Sequence, residues 1–326
     1  MNILQFNKHH KNYVGIIENE IVHYIKEPIS MHELAKNSIQ QDIKLLNYIK
    51  NNFSFSDIPY KELLSNYSLT LPMVPDNLTN CFVSGFGLTH INSALLKYDT
   101  NQGGRFGDAQ NVYSNGLNKG MPENSEIGAR PCWFPKGNGH NLVKTGEPLT
   151  IFSDSVHVGE EPELVFIYMI GKNKVPYRIG YCLGNDLTDH GLEDENAYYV
   201  AQAKFLSGAI NSEICIDQLP ERFVGKVEIF SQNREKKWDS EFCTGRSKMV
   251  HSLENLESYY FRNNMNLNEN DVHFLFLGVD RMSFSDGFTI QPEYEVVISS
   301  NTFKTKLTNI IKTIEPKPSV SVKTLY

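Results

Sequence analysis

Two glutamates separated by one proline, Glu161-Pro162-Glu163, open the longest apolar run of the chain, Leu164-Val165-Phe166-Ile167-Tyr168-Met169-Ile170. Alternate residues of a strand point to the same side, so both carboxylates face one space with Pro162 turned away. Burying such charges costs several kcal/mol each unless something compensates them. Proline has no N–H to give a sheet, so Pro162 marks the rim of a sheet rather than its middle. Two carboxylates this close repel, and one is driven neutral unless a divalent cation holds both ionised. With no His or Cys beside them, the donors are oxygens, which suits Mg²⁺, Mn²⁺ or Ca²⁺. A bare pair of this kind is more often just the solvated end of a strand. A third acid favours the metal: Asp186 follows the strand 177-YRIGYCLG-184, so two neighbouring strands would end in Glu161, Glu163 and Asp186.

The surrounding elements follow from periodicity. Segments 163–170, 177–184, 224–231, 272–278 and 294–300 are β-branched and aromatic between turn residues, which predicts strands. A helix is expected from Leu192 to Phe205, with Asp189 and Asp194 near its start as capping and dipole partners. Lys204 lies in its last turn, where it complements the helix dipole or, beside an acidic site, meets an anionic substrate or carries a proton. Residues 1–75 read as a small α/β unit: strands at Ile3–Phe6, Tyr13–Ile17 and Ile21–Ile25, then one helix on the spacing of Leu34, Ala35, Ile39, Ile43, Leu46 and Ile49. The prolines of 72-PMVPDN-77 lead into a larger unit, 76–326. The Gly- and Asn-rich stretch 99–128 carries no strand signal and reads as a structureless lid or a disordered loop.

Composition bounds the function. The 326 residues are 40% hydrophobic and 21% charged, with a net charge of −7 and no Lys/Arg run. No nucleic-acid or membrane partner is therefore expected. The opening MNILQFNKHH lacks the pattern of a secretory signal. Five scattered cysteines (Cys81, Cys132, Cys182, Cys215 and Cys243) without a CxxC pair suit reduced, buried thiols in the cytoplasm.

Glu161-Pro-Glu163-Leu, the strand end Gly-Asn-Asp186 and Gln-Ala-Lys204, in this order, resemble the fumarylacetoacetate hydrolase superfamily. Within it, 184-GNDLTDHGLEDENAYYVAQAK-204, 133-WFPKGNGHNLV-143 and 85-GFGLTHINSA-94 are most similar to the 2-keto-3-deoxy-sugar-acid (arabinonate-type) dehydratase branch, over roughly residues 80–300. The resemblance implies an α+β fold: a mostly β catalytic unit built as a mixed β-roll, after a small N-terminal α/β domain. It implies Mg²⁺ (or Mn²⁺, Ca²⁺) on Glu161, Glu163 and Asp186, a Lys204 that meets the substrate carboxylate or moves a proton, and a homodimer or tetramer. The expected reaction is loss of water from a small 2-keto acid, with the ion polarising the ketone and Lys204 and His90 sharing the acid and base roles. C–C cleavage of an acylpyruvate or 2,4-diketo acid on the same metal, or a silent sugar-acid-binding relative, are the alternatives.

Two positions depart from the family pattern. Its hydrolases follow the histidine matched by His90 with a glutamate three residues on, whereas this chain has Ser93, which weakens water activation and tilts the reading toward dehydration. Where relatives have Gly-Thr at the substrate site, this chain has Gly278-Val279; Gly278 is kept as a substrate contact and Val279 as a core residue. Lys136 matches a lysine near the family's site, although a solvated loop lysine fits it as well. His140 and His190 are expected at the surface.

Overall fold

The apolar run forms the strand Pro162–Ile170, which pairs antiparallel with Pro176–Asn185 in a computed structural model describing residues 1–92, 105–123, 126–316 and 319–326. Every residue of the first strand is buried. Alternation divides its side chains between two cores. Leu164, Phe166, Tyr168 and Ile170 join one cluster, while Val165, Ile167 and Met169 join another. A strand buried on both faces needs no polar alternation, which is why this stretch is continuously apolar.

The hairpin lies inside a large mixed sheet. Beyond Pro162–Ile170 the order continues through Val272–Phe276 and Cys81–Gly87 to Cys132–Asn138. On the other side Tyr181 of Pro176–Asn185 pairs with Cys215 of Glu213–Cys215, which in turn pairs with Asn2–Lys8. Lys11–Glu18, Ile21–Ile25 and Phe55–Pro59 extend that edge. The N-terminal unit thus shares its sheet with the large unit. A second sheet, ordered Lys236–Thr244, Phe223–Phe230, Glu295–Ser300, Leu307–Ile314 and Leu149–Phe152, closes over the first core with the helix Leu253–Arg262. The architecture is α+β with β dominant.

Three expectations are corrected. The single helix across Leu34–Ile49 is two, Met31–Gln40 and Leu45–Asn52, because Asp42 takes a left-handed conformation (φ 54°). The helix from Leu192 to Phe205 is three short turns, His190–Glu195, Ala197–Tyr199 and Val200–Ala203. Asn196 is extended between them, and its side chain accepts the Tyr198 N–H, the local bond by which Asn competes with a helix. The stretch 99–128 holds a 15-residue helix, Arg105–Lys119, where Tyr113 packs with Val250 and so overrides the helix-weakening glycines. Residues 99–104, 124 and 125 of that stretch, like Ser93 before it, lie outside the described residues. Pro162 is the first residue of an interior strand, a position that needs no edge. Among the described residues no helix is long and apolar enough to cross a membrane.

Candidate active site

The hairpin register sets Pro162 opposite Asn185 and Glu163 opposite Gly184, so Glu161 and Asp186 stand side by side just past the paired ends. The backbone locks them there. Asp186 N–H donates to Glu161 O (2.9 Å) and Asn185 Oδ1 accepts the Glu161 N–H (3.1 Å). One oxygen from each of Glu161, Glu163 and Asp186 lies within 4.8 Å of the others, and all three residues are buried. Hard dications bind oxygen at about 2.0–2.6 Å, so two donors on one ion stand at most about 5 Å apart. The three carboxylates fit such an ion in spacing and in donor chemistry.

Two lysines complete the cluster. Lys204 Nζ donates to Glu161 Oε2 (2.7 Å), Asp186 Oδ2 (3.1 Å) and Thr188 Oγ1 (2.8 Å), and lies 4.9 Å from the centre of the Phe134 ring. Burial opposes its charge, but Asp186 and Glu161 outweigh burial and hold its pKa well above the ordinary lysine value. Lys136 is fully buried, so a place in a solvated loop is overturned. Its Nζ lies 2.6 Å from Asp186 Oδ1 and donates to the carbonyls of Leu187 (2.9 Å) and Lys204 (3.1 Å). Burial pulls Lys136 below the ordinary value, yet three oxygens around Nζ match the three donors of an ammonium.

The acids divide accordingly. Burial disfavours an ionised Asp186, but Lys136 and Lys204 prevail and keep its pKa below the ordinary aspartate value. Among the described residues no lysine lies within ion-pair distance of Glu163, and Lys204 offsets its burial only in part. Burial, then repulsion by Asp186 and Glu161, pushes its pKa well above the ordinary value. Its Oε2 accepts the N–H of Gly278 (2.6 Å). Gly278 sits at φ +95°, and a side chain there would strike Thr89, so glycine is required to turn that N–H inward. Three carboxylates against two ammoniums leave one negative charge. A dication would make the balance +1, which a monoanion would neutralise.

His90 is buried behind this shell. Its Nδ1 lies 2.9 Å from Thr89 Oγ1 and its Nε2 2.8 Å from Thr244 Oγ1, while Thr89 donates to Leu277 O (2.7 Å), next to Gly278. Burial lowers the His90 pKa to about 4. His140 is exposed and Val279 packs inside. The surface placement of His190 is overturned: it is 3% exposed, stacked on Phe284, with Nε2 3.7 Å from Glu161 Oε1. The Asp189 side chain does not cap its helix; it accepts from the N–H groups of Val156 and His157 (3.0 Å each). Thr188 and Phe134 join the site unheralded by spacing with acids. Phe134 shares the strand Cys132–Asn138 with Lys136 two residues on, and Thr188 follows Asp186 just past the end of the strand Pro176–Asn185, its Oγ–H donating to Asp186 O (2.7 Å).

No protein-family model matches the chain. A Haloferax volcanii protein described as a "probable 2-keto-3-deoxyxylonate dehydratase" is 29% identical over 138 residues, covering 41% of this chain and 46% of the relative. The chain thus matches less than half the length of that relative. The structure of a 2-keto-3-deoxy-D-arabinonate dehydratase complexed with magnesium and 2,5-dioxopentanoate superposes with a TM-score of 0.69 at 20% identity, over 97% of this chain and 100% of the other. The apo form of an enzyme of that name gives 0.70 at 19% identity over the same shares. The resemblance carried by Glu161, Glu163, Asp186 and Lys204 therefore extends to the whole chain as architecture: this protein has the fumarylacetoacetate-hydrolase-like α+β fold of the 2-keto-3-deoxyarabinonate dehydratases.

Proposed function

We propose that this protein is a Mg²⁺-dependent lyase that removes water from a 2-keto-3-deoxy sugar acid. The observation that carries the reading is the buried trio of carboxylates with Lys204 set among them. It is supported by the shared fold with an enzyme whose structure contains magnesium and a dioxo acid. Glu161, Glu163 and Asp186 would hold the ion. When bound, it supplies Lewis-acid polarisation of the 2-keto group, which acidifies the C3 protons.

The chain's own residues do the rest. Lys136 ties Asp186 to the backbone at Leu187 and Lys204, so the aspartate cannot swing away. The Gly278 N–H does the same for Glu163. Lys204 is the cation that pairs with the substrate carboxylate and gives a proton, and the Phe134 ring shields it from water. His90, kept neutral at neutral pH by burial, has a free-base ring nitrogen that can accept a proton and is the base. His90 takes the C3 proton, the electron pair becomes the C3–C4 double bond, and the C4 hydroxyl leaves as water with the proton from Lys204. Within the same proposal the enzyme is cytoplasmic, a homodimer or tetramer, and acts on a free small molecule.

Glu161→Gln assayed with Mg²⁺ present tests the metal; undiminished turnover would sink it. Product analysis tests the reaction. Dehydration gives one product carrying every carbon, whereas C–C cleavage gives two acids.

A further inference from the structure

The stretch 159-GEEPE-163 holds three glutamates, but only two face the metal cluster. Glu160 lies outside that cluster, between the strands Val158–Gly159 and Pro162–Ile170, and is fully buried. Both of its oxygens are taken by one residue: Ser283 N–H donates to Oε1 (2.8 Å) and Ser283 Oγ–H to Oε2 (2.5 Å). Ser283 begins the short turn Ser283–Asp286, whose far end is tied to Trp238 Nε1 (2.9 Å) and Arg281 through Asp286. The turn presents Phe284, on which the His190 ring stacks at 4.5 Å and 22°. Gly159 faces the same ring, and a Cβ there would come within 2.8 Å of His190 Cδ2.

The result is a buried imidazole held by a stack on one side and a glycine on the other. Its nitrogens are aimed at two carboxylates: Nδ1 is 3.5 Å from Glu193 Oε2 and Nε2 is 3.7 Å from Glu161 Oε1. Nε2 has no hydrogen-bond partner among the described residues. A buried polar atom left so costs about 1–3 kcal/mol. The nearest remedy is the one Glu161 oxygen that Lys204 does not take. We propose that His190, set by the Glu160–Ser283–Phe284 clamp, is a positioning residue that orients Glu161 for the metal through Nε2. It acts through Glu161 and touches neither ion nor substrate. The inference rests on the metal reading above and deepens it.

The test is Mn²⁺ titration of the full chain, stripped of metal and followed by electron paramagnetic resonance. His190→Phe keeps the stack on Phe284 and deletes the nitrogens; Mn²⁺ affinity should fall about 10–100-fold, the usual effect of losing an outer partner of a ligand. His190→Gln returns an N–H near the place of Nε2 and should recover affinity to within about fivefold of the unaltered protein. Equal affinity in His190→Phe, or His190→Gln as weak as His190→Phe, would overturn the proposal. Should the phenylalanine variant not fold, a crystal structure of the unaltered protein with Mn²⁺ decides. Nε2 within about 3.2 Å of a Glu161 oxygen supports the role, and a separation beyond about 4 Å refutes it. Failure of the unaltered protein to bind Mn²⁺ would be distinct, overturning the metal reading and this inference together.

Discussion

Two strands of similar length have opposite designs. Pro162–Ile170 is buried at all nine positions and ends in the carboxylate cluster. Phe223–Phe230 in the second sheet alternates strictly, with Phe223, Gly225, Val227 and Ile229 inside and Val224, Lys226, Glu228 and Phe230 toward solvent. The first has no solvent face, so it cannot move without disturbing two cores, and its end is a rigid mount for charges that repel. The second has one core and carries surface ion pairs, such as Lys226 with Glu228 (2.8 Å). Chemistry that needs fixed carboxylates belongs on the former.

Substitutions should separate the two strands, and the hairpin should give the largest effects. Asp186→Asn removes one carboxylate of the proposed metal site and the partner of two buried lysines; we expect about a thousandfold loss of turnover and, because a buried charge loses its partner, about 3–5 kcal/mol of stability by denaturant titration. Phe166→Ala should cost about 3–5 kcal/mol in the same assay, because the cavity opens in a core that cannot collapse. Acid is the next lever. Burial lowers His251 and His273 to about 4 in the folded protein, against about 6.5 when unfolded. Their contribution is complete above pH 6.5 and is lost as pH falls toward 4. At pH 5 each should cost about 2 kcal/mol, read as a falling melting temperature. Glu163→Gln reverses the sign: in metal-free protein it should raise stability by about 1 kcal/mol, since burial and the neighbouring Asp186 and Glu161 hold the carboxyl it replaces away from its ionised form, a cost the amide does not carry. Mg²⁺ should no longer shift its melting temperature. Val224→Ala on the alternating strand should change stability by less than about 0.5 kcal/mol. A cost there equal to that of Phe166→Ala would erase the contrast.

Strand positions were legible because periodicity reports burial directly, and the observed bounds of Pro162–Ile170, Pro176–Asn185 and Phe223–Phe230 follow the expected segments closely. The grouping of Glu161, Glu163 and Asp186 was legible because short spacings translate into strand faces and ends. Partners brought by distant elements were not. Gly278 and Ser283 reach the hairpin through the sheet order, which no local pattern encodes. The helix Leu253–Arg262 had a usable signal, Ser252 as its cap and Leu253, Leu256 and Tyr260 on one face, but its aromatic cluster also reads as strand. His190 misled because its neighbours Asp189, Gly191 and Glu193 are polar, and the stack that buries it comes from Phe284, far along the chain.

The pairing of Asn2–Lys8 with Glu213–Cys215 has a consequence for how the molecule is made. The first strand leaves the ribosome more than 200 residues before its neighbour. At usual rates of synthesis that is about 10–40 s, during which the Asn2–Leu4 part of the strand presents unmet backbone groups on one margin, Phe6 and Asn7 being paired with Ser68–Leu69. Until the partner arrives, protection of that margin falls to chaperones or to the crowded exit of the ribosome, and slowed translation between residues 70 and 213 should favour aggregates nucleated at the strand Asn2–Lys8.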